Sequence, residues 1–101
     1  MKLQISMTLP SGERQTRTLD PDLLGPGDDT ACRKATGLPV SAFIDEDTFG
    51  SDSVLVVWWI AGRQAGRHER YQRVVQTWPT IADLQRADPD IEYLEDDSPE
   101  G

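Results

Sequence analysis

Residues 51–66 read Ser51-Asp-Ser-Val-Leu-Val-Val-Trp-Trp-Ile-Ala-Gly-Arg-Gln-Ala-Gly66, and how this stretch folds decides the architecture. Its centre, Val54 to Ile60, has the β-branched and aromatic composition of a strand. Length argues the other way. Ser51, Asp52 and Ser53 supply helix caps, the pattern continues through Ala61, Arg63, Gln64 and Ala65, and sixteen residues exceed an ordinary strand. One buried helix is predicted, apolar nearly all round in its first two turns, and such a helix needs neighbours on several sides. Adjacent helical residues point about 100° apart, so Trp58 and Trp59 are both covered only if the helix is surrounded. Two readings of the pair stand side by side: both are core, or one faces a groove that takes a partner helix or a sister subunit.

Toward the N-terminus, residues 2 to 9 alternate polar and apolar, which places Leu3, Ile5, Met7 and Leu9 on one face of a strand. Pro10-Ser11-Gly12 supplies turn chemistry, and the alternating stretch Arg14 to Leu19 follows closely enough to pair back as a hairpin. Residues 20 to 28 hold two prolines, two glycines and three aspartates and read as a loop. A short helix is predicted from Thr30 to Thr36, capped by Asp28 or Asp29 and stopped at Gly37. A further short turn is expected around Ser41 to Asp47.

Toward the C-terminus, Tyr71, Val74, Val75 and Trp78 form the stripe of a one-sided helix over residues 68–77. Pro79 interrupts it and suits the first turn of another helix, whose inward face is read as Ile81 and Leu84. The pattern dissolves at Asp88-Pro89. The fold class expected is therefore α+β: an N-terminal β-hairpin, a small bundle of about four helices, and a disordered acidic C-terminal tail. The domain is placed at 1–87 and the tail at 88–101.

At 101 residues the chain has room for one small core. The formal net charge of −8 is concentrated: residues 88–101 hold seven acids and no base, which leaves 11 acidic against 10 basic residues in the body. A body near −1 argues against a nucleic-acid surface, which calls for marked positive excess. A lone cysteine, Cys32, has no intrachain disulfide partner, and the N-terminus lacks the pattern of a secretory signal, so a reducing, cytoplasmic setting is expected. The longest unbroken apolar run, Val54 to Ala61, is far short of the roughly 20 residues of a membrane span.

Catalytic and metal chemistry find little to work with. One histidine and one cysteine stand 36 positions apart, which does not fit a zinc site, and no cofactor motif is present. The runs Asp45-Glu46-Asp47 and Glu95-Asp96-Asp97 lack the glycine and spaced ligands of a calcium loop and read as solvated charge. Cys32 is expected as a buried structural thiol and His68 as an exposed helix-start residue. The cations Arg63, Arg67, Arg70 and Arg73 would align if a helix ran through Gly66, but the glycine is expected to break it. They read as solvated faces, or as a surface for an acidic partner or the chain's own tail.

The hairpin ending Arg17-Thr18-Leu19-Asp20, the helix ending Lys34-Ala35-Thr36-Gly37-Leu38, and the run Leu55 to Gly66 together resemble the tail assembly chaperones of siphophages and related prophages, especially the actinobacterial type. The similarity extends over about residues 3 to 87. Two consecutive tryptophans stand where that family more often has Leu and Ala. The resemblance implies a non-enzymatic protein of the host cytoplasm that binds the tape measure protein and keeps its apolar helices from aggregating. It implies a second partner in the tail tube protein, and self-association is a further expectation; neither nucleic acid nor membrane is expected. Partner binding is assigned to Val54, Leu55, Trp58, Trp59, Arg63, Arg67 and Arg70. The competing readings are an acidic, nucleic-acid-mimicking inhibitor of a DNA-binding protein and a small virion connector subunit.

Overall fold

Strand β1 (Lys2–Thr8) runs through the middle of a three-stranded antiparallel sheet of order β2-β1-β3. The structure, a computed structural model, describes residues 2–94. As the alternation predicts, Leu3, Ile5 and Met7 are fully buried, while Leu9, beyond the strand, packs against the core only in part. The turn closes through Gly12, whose φ of +92° an L side chain rarely adopts, with its N–H donating to the Leu9 carbonyl at 2.8 Å. β2 (Arg14–Leu19) then pairs back with Leu3 opposite Leu19 and Ile5 opposite Arg17.

Helix α1 (Pro26–Thr36) begins four residues before the predicted Thr30, and neither Asp28 nor Asp29 is its cap. Pro26 presets the first helical φ, and Asp28 Oδ2 reaches back to accept the Gly25 N–H at 3.1 Å. Asp29 instead ties down the next loop: it accepts the Val40 N–H and the Arg33 Nε, each at 3.0 Å. These two donors hold its carboxyl below the usual carboxylate range. The helix ends at Gly37, left-handed at φ +85°, as expected. Two short 3₁₀ turns, Val40–Ala42 and Glu46–Thr48, carry the chain to α2 (Ser51–Gln64).

α2 is a single helix, so the length argument prevails over the strand-like composition. It lies on β2 and β1, with α1 and α3 (Tyr71–Thr77) against its sides. Nine of its residues, Ser53, Val54 and Val56 to Gly62, are buried, because a helix apolar all round is stable only when enclosed. Trp58 meets Trp78 edge to face with centroids 5.8 Å apart, and the Trp78 indole N–H donates to the Thr8 carbonyl at 3.3 Å.

Helix α4 (Ile81–Arg86) departs from expectation at its start. Pro79 lies outside it, and Thr80 is the cap, its Oγ1 accepting the Asp83 N–H at 3.0 Å. The expected inward pair is half right: Leu84 is buried, but Ile81 is 61% exposed, since so short a helix turns only one residue per turn toward the core.

The boundary expected at residue 88 also moves. Asp90–Leu94 form β3, antiparallel to β1, with Ile5 opposite Ile91 and Leu3 opposite Tyr93. Ile91, Tyr93 and Leu94, read in the sequence as a few apolar handles on a disordered tail, belong to the strand that satisfies the open edge of β1; Ile91 and Tyr93 pack against the core beside its inward side chains, and Leu94 stands opposite the outward Lys2. Arg14 braces the entry to this strand, donating from Nη1 to the Ala87 carbonyl at 3.1 Å and from Nη2 to that of Asp88 at 2.8 Å. The remainder of the expected tail, 95–101, lies outside the described residues. Among the described residues no helix is long and apolar enough to cross a membrane.

Candidate functional site

The candidate site begins where α2 stops. Gly66 takes a φ of +88°, its N–H donates to the Arg63 carbonyl at 3.0 Å, and the Arg67 N–H donates to the Gly62 carbonyl at 2.9 Å. This paired closure ends the helix and turns the chain away from its axis. Residues 67–70 carry no regular secondary structure and run to α3, so Arg63, Arg67, Arg70 and Arg73 do not share one helix. The break expected at Gly66 is present.

Within this segment Glu69 is the inward residue. Its Oε1 accepts from Arg17 Nη1, and its backbone carbonyl accepts the Trp59 indole N–H at 3.0 Å. Arg17 belongs to the inner face of β2 and is nearly buried, its guanidinium carbon 4.1 Å from the Trp58 ring centroid. Nη1 also donates to the Trp58 carbonyl at 3.0 Å. The approach is possible because residue 62 is glycine: a Cβ there would stand 2.6 Å from Arg17 Nη1 and 3.1 Å from Glu69 Oε1. Arg17, Gly62 and Glu69 thus form a buried polar clasp that fixes the 67–70 segment to α2.

With Glu69 turned in, Arg67, His68 and Arg70 are turned out. One open groove of about 620 Å³ lies between Ala31, Lys34 and Ala35 of α1 and residues 68–72, with Trp59, Arg63 and Tyr71 lining its interior. A second, about 730 Å³, runs along Arg67, Arg70, Arg73 and Gln76. Lys34, Arg67, Arg70 and Arg73 are exposed and make no ion pair among the described residues. Arg63 is different, since its Nε donates to Asp28 Oδ1 at 2.9 Å and its guanidinium carbon stands 5.9 Å from the Trp59 ring centroid. Tyr71 packs on Trp59 with centroids 5.2 Å apart, and burial raises its phenol, assisted by the charge of Asp52. The result is a groove in which the half-buried Tyr71, backed by the buried Trp59, stands among cations, and tyrosine and arginine are enriched where proteins meet partners.

The residues assigned to partner binding therefore divide. Val54, Trp58 and Trp59 are core, at 7%, 2% and 5% exposure, which corrects the expectation that this stretch of α2 offers a capture surface. Enclosure by the sheet, α1 and α3 is the reason, and it decides between the two readings of the tryptophan pair. Leu55 is half-buried against the core. Arg63, Arg67 and Arg70 do reach the surface and line the grooves. Lys34 and Tyr71 are not among the residues assigned to partner binding from the sequence, since nothing local in sequence joins α1 to the residues after Gly66. Arg17 and Gly62 left a readable signal: a charge at an inward position of an alternating strand, and a lone glycine inside an apolar helix.

Cys32 is fully buried, and burial pushes its thiol up, away from nucleophilic use. His68 is exposed, one segment ahead of the helix start expected for it. Among the described residues no three His, Cys, Asp or Glu side chains are grouped to hold a metal ion. Asp45 Oδ1 accepts the Asp47 N–H at 3.0 Å and so closes its own turn. Comparison of the chain with known protein families, with curated proteins and with solved structures finds no match.

Proposed function

We propose that this chain is a non-catalytic tail assembly chaperone of a phage or prophage, which binds a tape measure protein in the host cytoplasm and keeps it soluble during tail morphogenesis. The observation that carries the reading is the groove between α1 and residues 68–72, walled by Tyr71 and rimmed by Lys34 and Arg70, which have no ion pair among the described residues. A client helix laid there sets apolar side chains against Tyr71, Ala31 and Ala35, and its carboxylates against Lys34 and Arg70. Contacts of this kind are reversible and need neither cofactor nor covalent chemistry. A groove this small binds weakly by itself, and a long client with many such helices gains by engaging several chaperone copies. The sequence resemblance over residues 3 to 87 supports the same reading and names the client.

The reading moves capture from α2, where the apolar run suggested it, to the surface built beside it. Co-expression with a long, helix-rich client tests it: the client should stay in the soluble fraction and co-purify with the chain. Replacing Arg67, Arg70 and Arg73 with serine should remove co-purification while the chaperone itself remains folded. A client that precipitates beside a folded wild-type chain would sink the reading.

A further inference from the structure

We propose that residues 95–101, the acidic segment that follows β3, dock back on the chain's own cationic depression around Lys2 and Arg67. The proposal is independent of the chaperone reading. Its starting point is the register of the sheet, in which Leu94 stands opposite Lys2. The described chain thus ends beside β1 at the end where Leu19 of β2 pairs with Leu3. A depression of about 380 Å³ lies at this end, lined by Lys2, Thr18, Asp20, Leu23, Gln64 and Arg67 among others, with Arg17 at its inner wall.

The charge there is positive. Among the described residues Lys2 and Arg67 make no ion pair, and Arg17, balanced by Glu69, has a buried Nε with no hydrogen-bond partner. The single carboxylate on the depression, Asp20, accepts the Asp22 N–H at 3.0 Å, and its backbone is held by Gln64 through bonds of 2.8 and 2.9 Å. Those bonds fix the floor. The segment that leaves Leu94 reads Glu95-Asp-Asp-Ser-Pro-Glu-Gly101, four carboxylates and no base.

Reach and repulsion select the direction. Neighbouring strands are about 4.8 Å apart, so crossing from β3 over β1 to β2 takes about 10 Å. Seven extended residues span up to about 23 Å. On the far side of β3 the way is acidic: Asp45, Glu46 and Asp47 belong to the turn that Tyr93 touches through the Ile44 carbonyl at 3.4 Å. Burial raises the Tyr93 phenol, and the charges of Glu46 and Asp45 raise it further. Four more carboxylates are repelled from that side and drawn to Lys2 and Arg67. Docked there, the segment covers Arg67, which also lines the second groove, so that any anionic ligand of that groove competes with it.

A spin label tests the assignment on the full chain. Cys32 is fully buried, so a Gly101→Cys substitution supplies the accessible thiol. A nitroxide at that position should broaden the backbone amides of Lys2, Thr18, Asp20 and Arg67 in the isotope-labelled protein. The broadening should vanish in the Lys2→Gln/Arg67→Gln variant and in about 1 M NaCl, where screening acts within about 3 Å. Both substituted side chains are exposed, and unchanged α2 amides verify the fold; the salt arm needs no variant at all. Broadening confined to β3 and the Glu46–Thr48 turn, or indifferent to both charge and salt, would overturn the proposal. So would broadening that appears only when spin-labelled and isotope-labelled chains are mixed, because the occupant is then a second copy's segment.

Discussion

α2 and the segment that follows it, residues 67–77, are neighbours in sequence and opposites in use. α2 is apolar on nearly every side and is enclosed on nearly every side, and the space beside Gly62 is taken by the Arg17–Glu69 clasp. Residues 67–77 turn a few side chains inward, Glu69, Tyr71 and Val74 foremost, and leave their arginines to solvent. In a domain with one small core, the most hydrophobic stretch is consumed by folding. The surface left for partners is then built from less hydrophobic chain held against that core.

The comparison predicts a graded series of effects. The largest is Trp58→Ala, which should cost about 3–5 kcal/mol in denaturant unfolding and leave little folded protein, since native stabilities are only about 5–15 kcal/mol. A loss under about 1 kcal/mol would break the claim that this residue is core. Next comes the C-terminal strand. Ending the chain after Pro89 removes Ile91 and Tyr93 from the sheet and should cost about 2–4 kcal/mol, whereas ending it after Leu94 should change stability by about 0.5 kcal/mol or less. Equal midpoints for the two truncations would return β3 to the tail.

Gly62→Ala sharpens the boundary between the two regions. Alanine favours a helix by about 1 kcal/mol over glycine, yet its methyl group displaces the buried guanidinium, and net destabilisation of about 1–2 kcal/mol is expected. A stabilised variant would show that the clasp does not constrain the helix. The smallest effect belongs to the outward arginines. Replacing Arg67, Arg70 and Arg73 together with serine should shift stability by no more than about 0.5 kcal/mol, read from the same unfolding curves, while it removes partner binding. A large loss of stability would place these residues in the structural half of the comparison.

Much of this fold was legible one element at a time. The hairpin followed from strict alternation around Pro10-Ser11-Gly12, and α2 from its length, because both patterns are local; the cap of α2 is Gly50 and not the expected Ser51, Asp52 or Ser53, which lie in its first turn, with Ser53 Oγ accepting the Gly50 N–H at 3.2 Å. The start of α1 was misread because Pro26 and Asp28 cooperate across a loop-like composition. β3 was misread for a different reason. Its acids and its position after Asp88-Pro89 resemble a solvated tail, and only the unpaired edge of β1, nearly ninety residues away in sequence, makes a strand of it. Of the candidate site, Arg63, Arg67 and Arg70 were visible as charges, but the groove was not, because its opposite wall comes from α1.

The sequence by itself determined the periodicities, the turn glycines at 12, 37 and 66, and the concentration of acid from residue 88 onward. Each depends on residues within a few positions of one another. Only the tertiary structure decided that Trp58 and Trp59 are core, that residues 90–94 complete the sheet, and that Arg70 faces Lys34 of α1 across one groove. Those outcomes depend on what lies across from each residue. Burial and strand pairing join parts of the chain that no local pattern connects.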